Sequence, residues 1–107
     1  MIRVECSPRA LTLRVEGHAY RGKPGEDIVC AAASMLAYTA GDMLVQAEER
    51  GEARDVVTVY DSGTAQISAR AANAACARRL ERSFADICAG FRLLARQEPD
   101  AVHVKII

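Results

Sequence analysis

The chain opens on a strict alternation. Ile2, Val4 and Cys6 are separated by Arg3 and Glu5. After Ser7-Pro8-Arg9 the alternation returns, with Leu11, Leu13 and Val15 set between Thr12, Arg14 and Glu16. A period of two places every apolar side chain on one face of a strand, so two half-buried strands joined by a turn are predicted, a hairpin ending at Gly17-His18. From Asp27 the period changes to a helical one, continuing to about Arg50, with Gly51 suited to the C-terminal stop. Asp27 is an N-cap candidate, because its carboxylate can accept from an orphan amide of the first turn. Ala31, Ala32, Ala33, Met35, Leu36 and Ala37 make the first half apolar almost all round, which predicts burial on several sides. Gly41 is a weak point within this helix. Asp42, Gln46, Glu48, Glu49 and Arg50 keep its end wet.

Val56, Val57, Val59 and Ile67 belong to two further strands, over about 54–60 and 65–70. The "DSGT" between them reads as a hairpin turn in which Gly63 can take positive φ. Asn73 is placed to cap a second helix running to about Gln97. Ala77, Leu80, Phe84, Ile87, Phe91 and Leu94 recur there at alternating steps of three and four, a single apolar stripe. Pro99-Asp100 ends it, and "AVHVKII" is a last alternating strand with His103 on the wet face. The order is ββαββαβ. It predicts one α+β domain over residues 1–107, with a mixed or antiparallel sheet packed against two long helices.

Composition narrows the function. Half of the 107 residues are apolar, enough for a core without staples. Fourteen Lys and Arg balance fourteen Asp and Glu, so no basic surface for nucleic acid is expected. The N-terminus lacks the continuous apolar run of a signal peptide. The longest apolar stretch, from Ile28, is interrupted by Ser34 and Thr39 and is alanine-rich, so no membrane span is expected. A cytoplasmic protein is the expectation, in which the four cysteines, at 6, 30, 76 and 88, are reduced thiols. With no C-x-x-C pair, Cys6, Cys76 and Cys88 read as packing residues.

The candidate chemistry lies in "GHAYRGKPGEDIVCAAASML", residues 17–36. Cys30 falls three residues after the cap, where the exposed amides and positive end of the helix dipole favour an anion. His18 ends a strand, and the connecting loop with Gly22, Pro24 and Gly25 returns the chain towards that helix end. An imidazole facing the thiol can take its proton, and first-turn amides can contribute an oxyanion hole. Against this stands the ordinary role of a cysteine on an alanine-rich helix, which is core packing, and that of a histidine at a strand end, a plain polar residue. A zinc site needs three or four ligands and only His18 and Cys30 are offered, so no metal is expected. The glycines do not fit a phosphate loop, and no cofactor is implied.

The same stretch resembles the signature of the ribosomal-processing cysteine protease family. "GHA" at 17–19, Gly22, Gly25, "DIVCA" at 27–31 and Ser34 meet every position of that pattern. The resemblance implies a cytoplasmic, homodimeric endopeptidase, with no nucleic acid or membrane partner. Its substrate would be the precursor of a bacterial large-subunit ribosomal protein, the twenty-seventh of that subunit, trimmed of its N-terminal extension before assembly. By matching positions, Cys30 is the expected nucleophile and His18 the general base. Asp27 and Ser34 match positions of supporting role. A Cys-His dyad is expected rather than a triad, because a capping Asp27 turns its carboxylate to the helix amides. Ser34 is expected to support Cys30 by hydrogen bonding from one turn below. Tyr20, Gly22 and Gly25 are expected to form a substrate loop that orders over the bound peptide. The competing reading is a non-catalytic factor that binds a ribosomal protein or the ribosome.

Overall fold

In the computed structural model, which describes residues 1–107, the alternating N-terminal segments form β1 (Ile2–Ser7) and β2 (Thr12–Glu16), paired antiparallel with Val4 opposite Val15. Ile2, Val4, Cys6, Leu13 and Val15 are buried, and Arg3, Glu5 and Arg14 are exposed, as the period of two requires. Leu11 lies in the turn instead of the strand, at φ +54°, and still buries its side chain. Then follow α1 (Ile28–Glu49), β3 (Ala53–Asp61), β4 (Thr64–Ala71), α2 (Ala74–Gln97) and β5 (Val102–Ile106). This is the predicted ββαββαβ order. Both helix caps fall where the sequence puts them: Asp27 accepts from Val29 and Cys30, and Asn73 from Cys76.

The five strands form one mixed sheet in the order β3-β4-β2-β1-β5, with β1–β5 its one parallel pair. Both helices cover the same face. Leu80, Phe84, Cys88 and Phe91 of α2 and Val29, Ala33, Ala37, Ala40 and Leu44 of α1 join the buried strand residues in one core. Small alanines let α1 lie close to the sheet. Gly41 serves the same purpose: a Cβ there would collide with the Tyr60 hydroxyl on β3. The glycine that weakens the helix locally is the one that admits its neighbour.

The structure corrects two expectations. α1 is not buried on several sides. Its buried residues form one face, while Ile28, Met35 and Tyr38 are exposed, Ile28 by 77%. A two-layer fold offers one sheet face to the helix and nothing on its other side. Nor are all four cysteines reduced packing residues. Cys6 of β1 and Cys88 of α2 are joined in a disulfide, with their Cα atoms 6.2 Å apart. They are 82 residues apart in sequence, and only the laying of α2 across β1 brings them together. Cys30 and Cys76 are free, and Cys76 is buried as a packing residue.

The sheet register sets the functional end of the molecule. Glu16, last of β2, pairs with Thr64, first of β4. The chain leaving β2 therefore emerges beside the β3–β4 turn, Ser62-Gly63. The Gly17 N–H donates to the Gly63 carbonyl at 2.8 Å and extends the pairing by one step.

Candidate active site

His18 leaves the end of β2 and Cys30 stands in the first turn of α1, and the fold brings both to one depression. A cavity of about 250 Å³ is lined by His18, Cys30, Ser34, Tyr38, Tyr60 and Ser62, among others. A wider cleft of about 630 Å³ adjoins it and shares His18, Cys30, Ser34 and Ser62 with it. Its outer wall is the loop, through Tyr20, Gly22, Pro24, Gly25 and Asp27. The sequence-predicted site residues thus converge on one place. His18 and Cys30 share the cleft without a hydrogen bond between imidazole and thiol. In a free enzyme such contacts are commonly loose and tighten with substrate.

Cys30 is half-buried, and its sulfur accepts from the Ala19 N–H at 3.4 Å. Ala19 itself is buried, so that donor is held in place by packing. A hydrogen bond to sulfur strengthens when the sulfur carries charge. The residue next to His18 therefore steadies the Cys30 sulfur as well. The His18 carbonyl accepts from the Met1 ammonium at 2.7 Å, which fastens the strand end that carries the imidazole.

Asp27 ties the loop to the helix. Its Oδ1 accepts from the Val29 and Cys30 amides, both at 3.0 Å, and its Oδ2 from the Arg21 amide at 2.8 Å. These bonds hold the Asp27 carboxyl below its ordinary value of 3.8, the Cys30 amide contributing most and the Arg21 amide next. The carboxylate is turned to backbone donors, as expected of a cap. One expectation is narrowed as a consequence. The Val29 and Cys30 amides are taken by Asp27, and the Ala31 amide by the Asp27 carbonyl at 3.0 Å, so these first-turn amides do not form an oxyanion hole. Ser34 faces the cleft one turn beyond Cys30, but makes no hydrogen bond to it.

Because Asp27 is held ionised, its stabilising effect is complete above pH 3.8 and fades as the pH falls below that, through its lower folded value. The urea midpoint of Asp27→Asn should lie below that of the wild type at neutral pH, and the gap should close in acid. A gap independent of pH would mean that shape, and not charge, is what Asp27 contributes.

Sequence reading missed the far wall. Tyr38 and Tyr60 meet edge to face, with ring centroids 4.8 Å apart, and Tyr60 sits beside the cavity. Burial first, then the nearby Tyr38 and Asp42, push the Tyr60 phenol above its ordinary 10.0. Ser62 and Gly63 also line the cavity, though "DSGT" reads as nothing more than a turn. No local signal marks these residues as belonging to the site; only the β2–β4 register brings them to His18.

A family model described as cysteine protease Prp matches residues 1–103. No curated protein matches the chain. Among solved structures, it is similar to the essential ribosomal processing protease Prp from S. aureus in complex with a covalently linked product peptide, at a TM-score of 0.72 and 19% identity over 100% of both chains. The same protease in complex with a substrate peptide matches at a TM-score of 0.67 and 18% identity, again over 100% of both chains. The protein SMU.848 from Streptococcus mutans matches at a TM-score of 0.65 and 21% identity, over 99% of this chain and 91% of that one. At these identities the structures establish a shared fold.

Proposed function

The chain belongs to the cysteine protease Prp family, and on that premise we propose that it removes the N-terminal extension of a bacterial large-subunit ribosomal protein, the twenty-seventh, before assembly. The Cys30 sulfur attacks the scissile carbonyl carbon. His18 takes the thiol proton and returns it to the leaving amine, and a water that His18 deprotonates then hydrolyses the thioester. The observation that carries this reading is the meeting of Cys30 and His18 in one open cleft, from opposite ends of a loop. The commitment of the Asp27 carboxylate to three backbone donors favours a dyad over a triad built on Asp27.

The cleft beneath the loop has room for an extended peptide, and the loop meets the rest of the protein chiefly through Asp27 and the Arg21–Glu98 ion pair at 3.7 Å. In this reading it opens to admit the precursor and closes over it, with Tyr20, which is 77% exposed, packing on the bound segment. The direct test is incubation of the protein with the extended and with the trimmed ribosomal protein. Loss of the extension, read by mass, is expected for the first alone. An uncleaved precursor that binds tightly would point to a non-catalytic assembly factor.

The protein acts, in this reading, as a cytoplasmic homodimer. The exposed apolar residues of α1, Ile28, Met35 and Tyr38, support a second copy covering that face. Light scattering at micromolar concentration should give twice the chain mass, and Met35→Lys should shift it towards the monomer. A wild-type protein that is monomeric throughout would remove this part of the reading.

A further inference from the structure

The tip of the β3–β4 hairpin, Asp61-Ser62-Gly63-Thr64, is explained by turn geometry alone until its neighbour is considered. Gly63 has φ +73°, which by itself favours glycine. Gly51 has nearly the same φ, +75°, yet a Cβ there would meet nothing within 4 Å. A Cβ on Gly63 would stand 2.6 Å from the His18 Nε2, 3.2 Å from Cε1 and 3.3 Å from Cδ2. The tip of the imidazole thus rests on the bare face of this glycine. Any side chain at 63 must push either the ring or the turn. The turn cannot yield freely, because the Gly63 carbonyl accepts from the Gly17 N–H, one residue before His18. One glycine therefore holds the backbone beside His18 and supports its ring. His18 is otherwise exposed, and its remaining aromatic neighbour, Tyr20, lies at a loose 5.9 Å between centroids.

We propose that Gly63 is a positioning residue for catalysis: its bare face seats the His18 imidazole at the orientation from which it serves Cys30. The proposal rests on the reading of His18 as the general base. It makes the β3–β4 turn part of the machinery, although no residue of that turn is hydrogen-bonded to the Cys30 sulfur, which accepts from Ala19 instead. An added methyl displaces the ring by about an ångström, and a misplacement of that size costs about a hundredfold in rate.

Three variants test this: Gly63→Ala, Gly51→Ala and His18→Ala, each assayed for kcat and KM on the extended ribosomal protein and for Cys30 alkylation across pH. Gly51→Ala carries the same backbone strain without the contact. Gly63→Ala is expected to lose about a hundredfold in kcat at unchanged KM. Its pH profile of alkylation should move towards that of His18→Ala, and Gly51→Ala should match the wild type in both. Full turnover in Gly63→Ala beside an inactive His18→Ala would overturn the proposal and leave the base assignment standing. Full turnover in His18→Ala would overturn the base assignment itself, and the proposal with it. Should Gly63→Ala not fold, the wild-type protein still decides by nuclear Overhauser effects between the Gly63 Hα protons and the imidazole protons. Their presence at neutral pH is expected, and their absence would refute the seating.

Discussion

Cys30→Ala is expected to yield a folded protein that no longer cleaves its precursor. The loss should be on the order of a millionfold, the cost of deleting the nucleophile from a comparable serine protease constellation. No other thiol can replace it, because Cys76 is buried and Cys6 and Cys88 are bonded to each other. The fold should survive. Cys30 is half-buried at the rim of the core, and alanine is already its neighbour at positions 31 and 32. Its backbone N–H, which Asp27 holds, is unaffected by the change. His18→Ala should cost a similar amount, and the double variant hardly more, since two groups that act as one unit fail together. Turnover is read by mass on the extended substrate, and folding by the thermal midpoint. A Cys30→Ala protein that still trims the extension would mean that the nucleophile lies elsewhere.

The second large effect is on stability. Replacing Cys6 and Cys88 together by alanine should lower the unfolding free energy by about 4 kcal/mol, because the cross-link closes a long loop in the unfolded chain. Their separation of 82 residues is most of the protein, so the unfolded ensemble gains much freedom when the link is cut. Both side chains lie in the core, which makes the bond slow to meet a reductant. A reducing cytoplasm, the compartment proposed above, favours the two thiols over the bond. Urea unfolding with and without dithiothreitol separates the possibilities. Reductant should lower the midpoint of the wild type and leave that of the double variant where it is. A wild-type midpoint indifferent to reductant would show that the two sulfurs are thiols in solution.

Much of the protein is written locally. The alternation of Ile2, Val4 and Cys6 with Arg3 and Glu5 determines a strand and which face is buried. The caps are local in the same sense: Asp27 reaches amides two and three residues on, and Asn73 one three residues on. The spacing of His18, Gly22, Gly25, Asp27 and Cys30 in one short segment made the candidate site legible, because both reacting groups and the loop between them are contiguous. Even the engagement of the Val29 and Cys30 amides was implicit there, since a carboxylate that caps those amides occupies them.

What the tertiary structure alone decided has one cause. A contact between residues far apart in sequence depends on register and layer order, and neither leaves a mark on the residues that meet. Cys6 and Cys88 look like two small apolar residues until α2 crosses β1. "DSGT" looks like any hairpin turn until the pairing of Glu16 with Thr64 carries it to His18. The alanine-rich half of α1 specifies a helix that can be buried on any side. Its single covered face follows from there being one sheet in the chain, with both helices laid on the same side of it. Period and capping act over a few residues and are encoded there, whereas the neighbours across the sheet are chosen only when the whole chain packs.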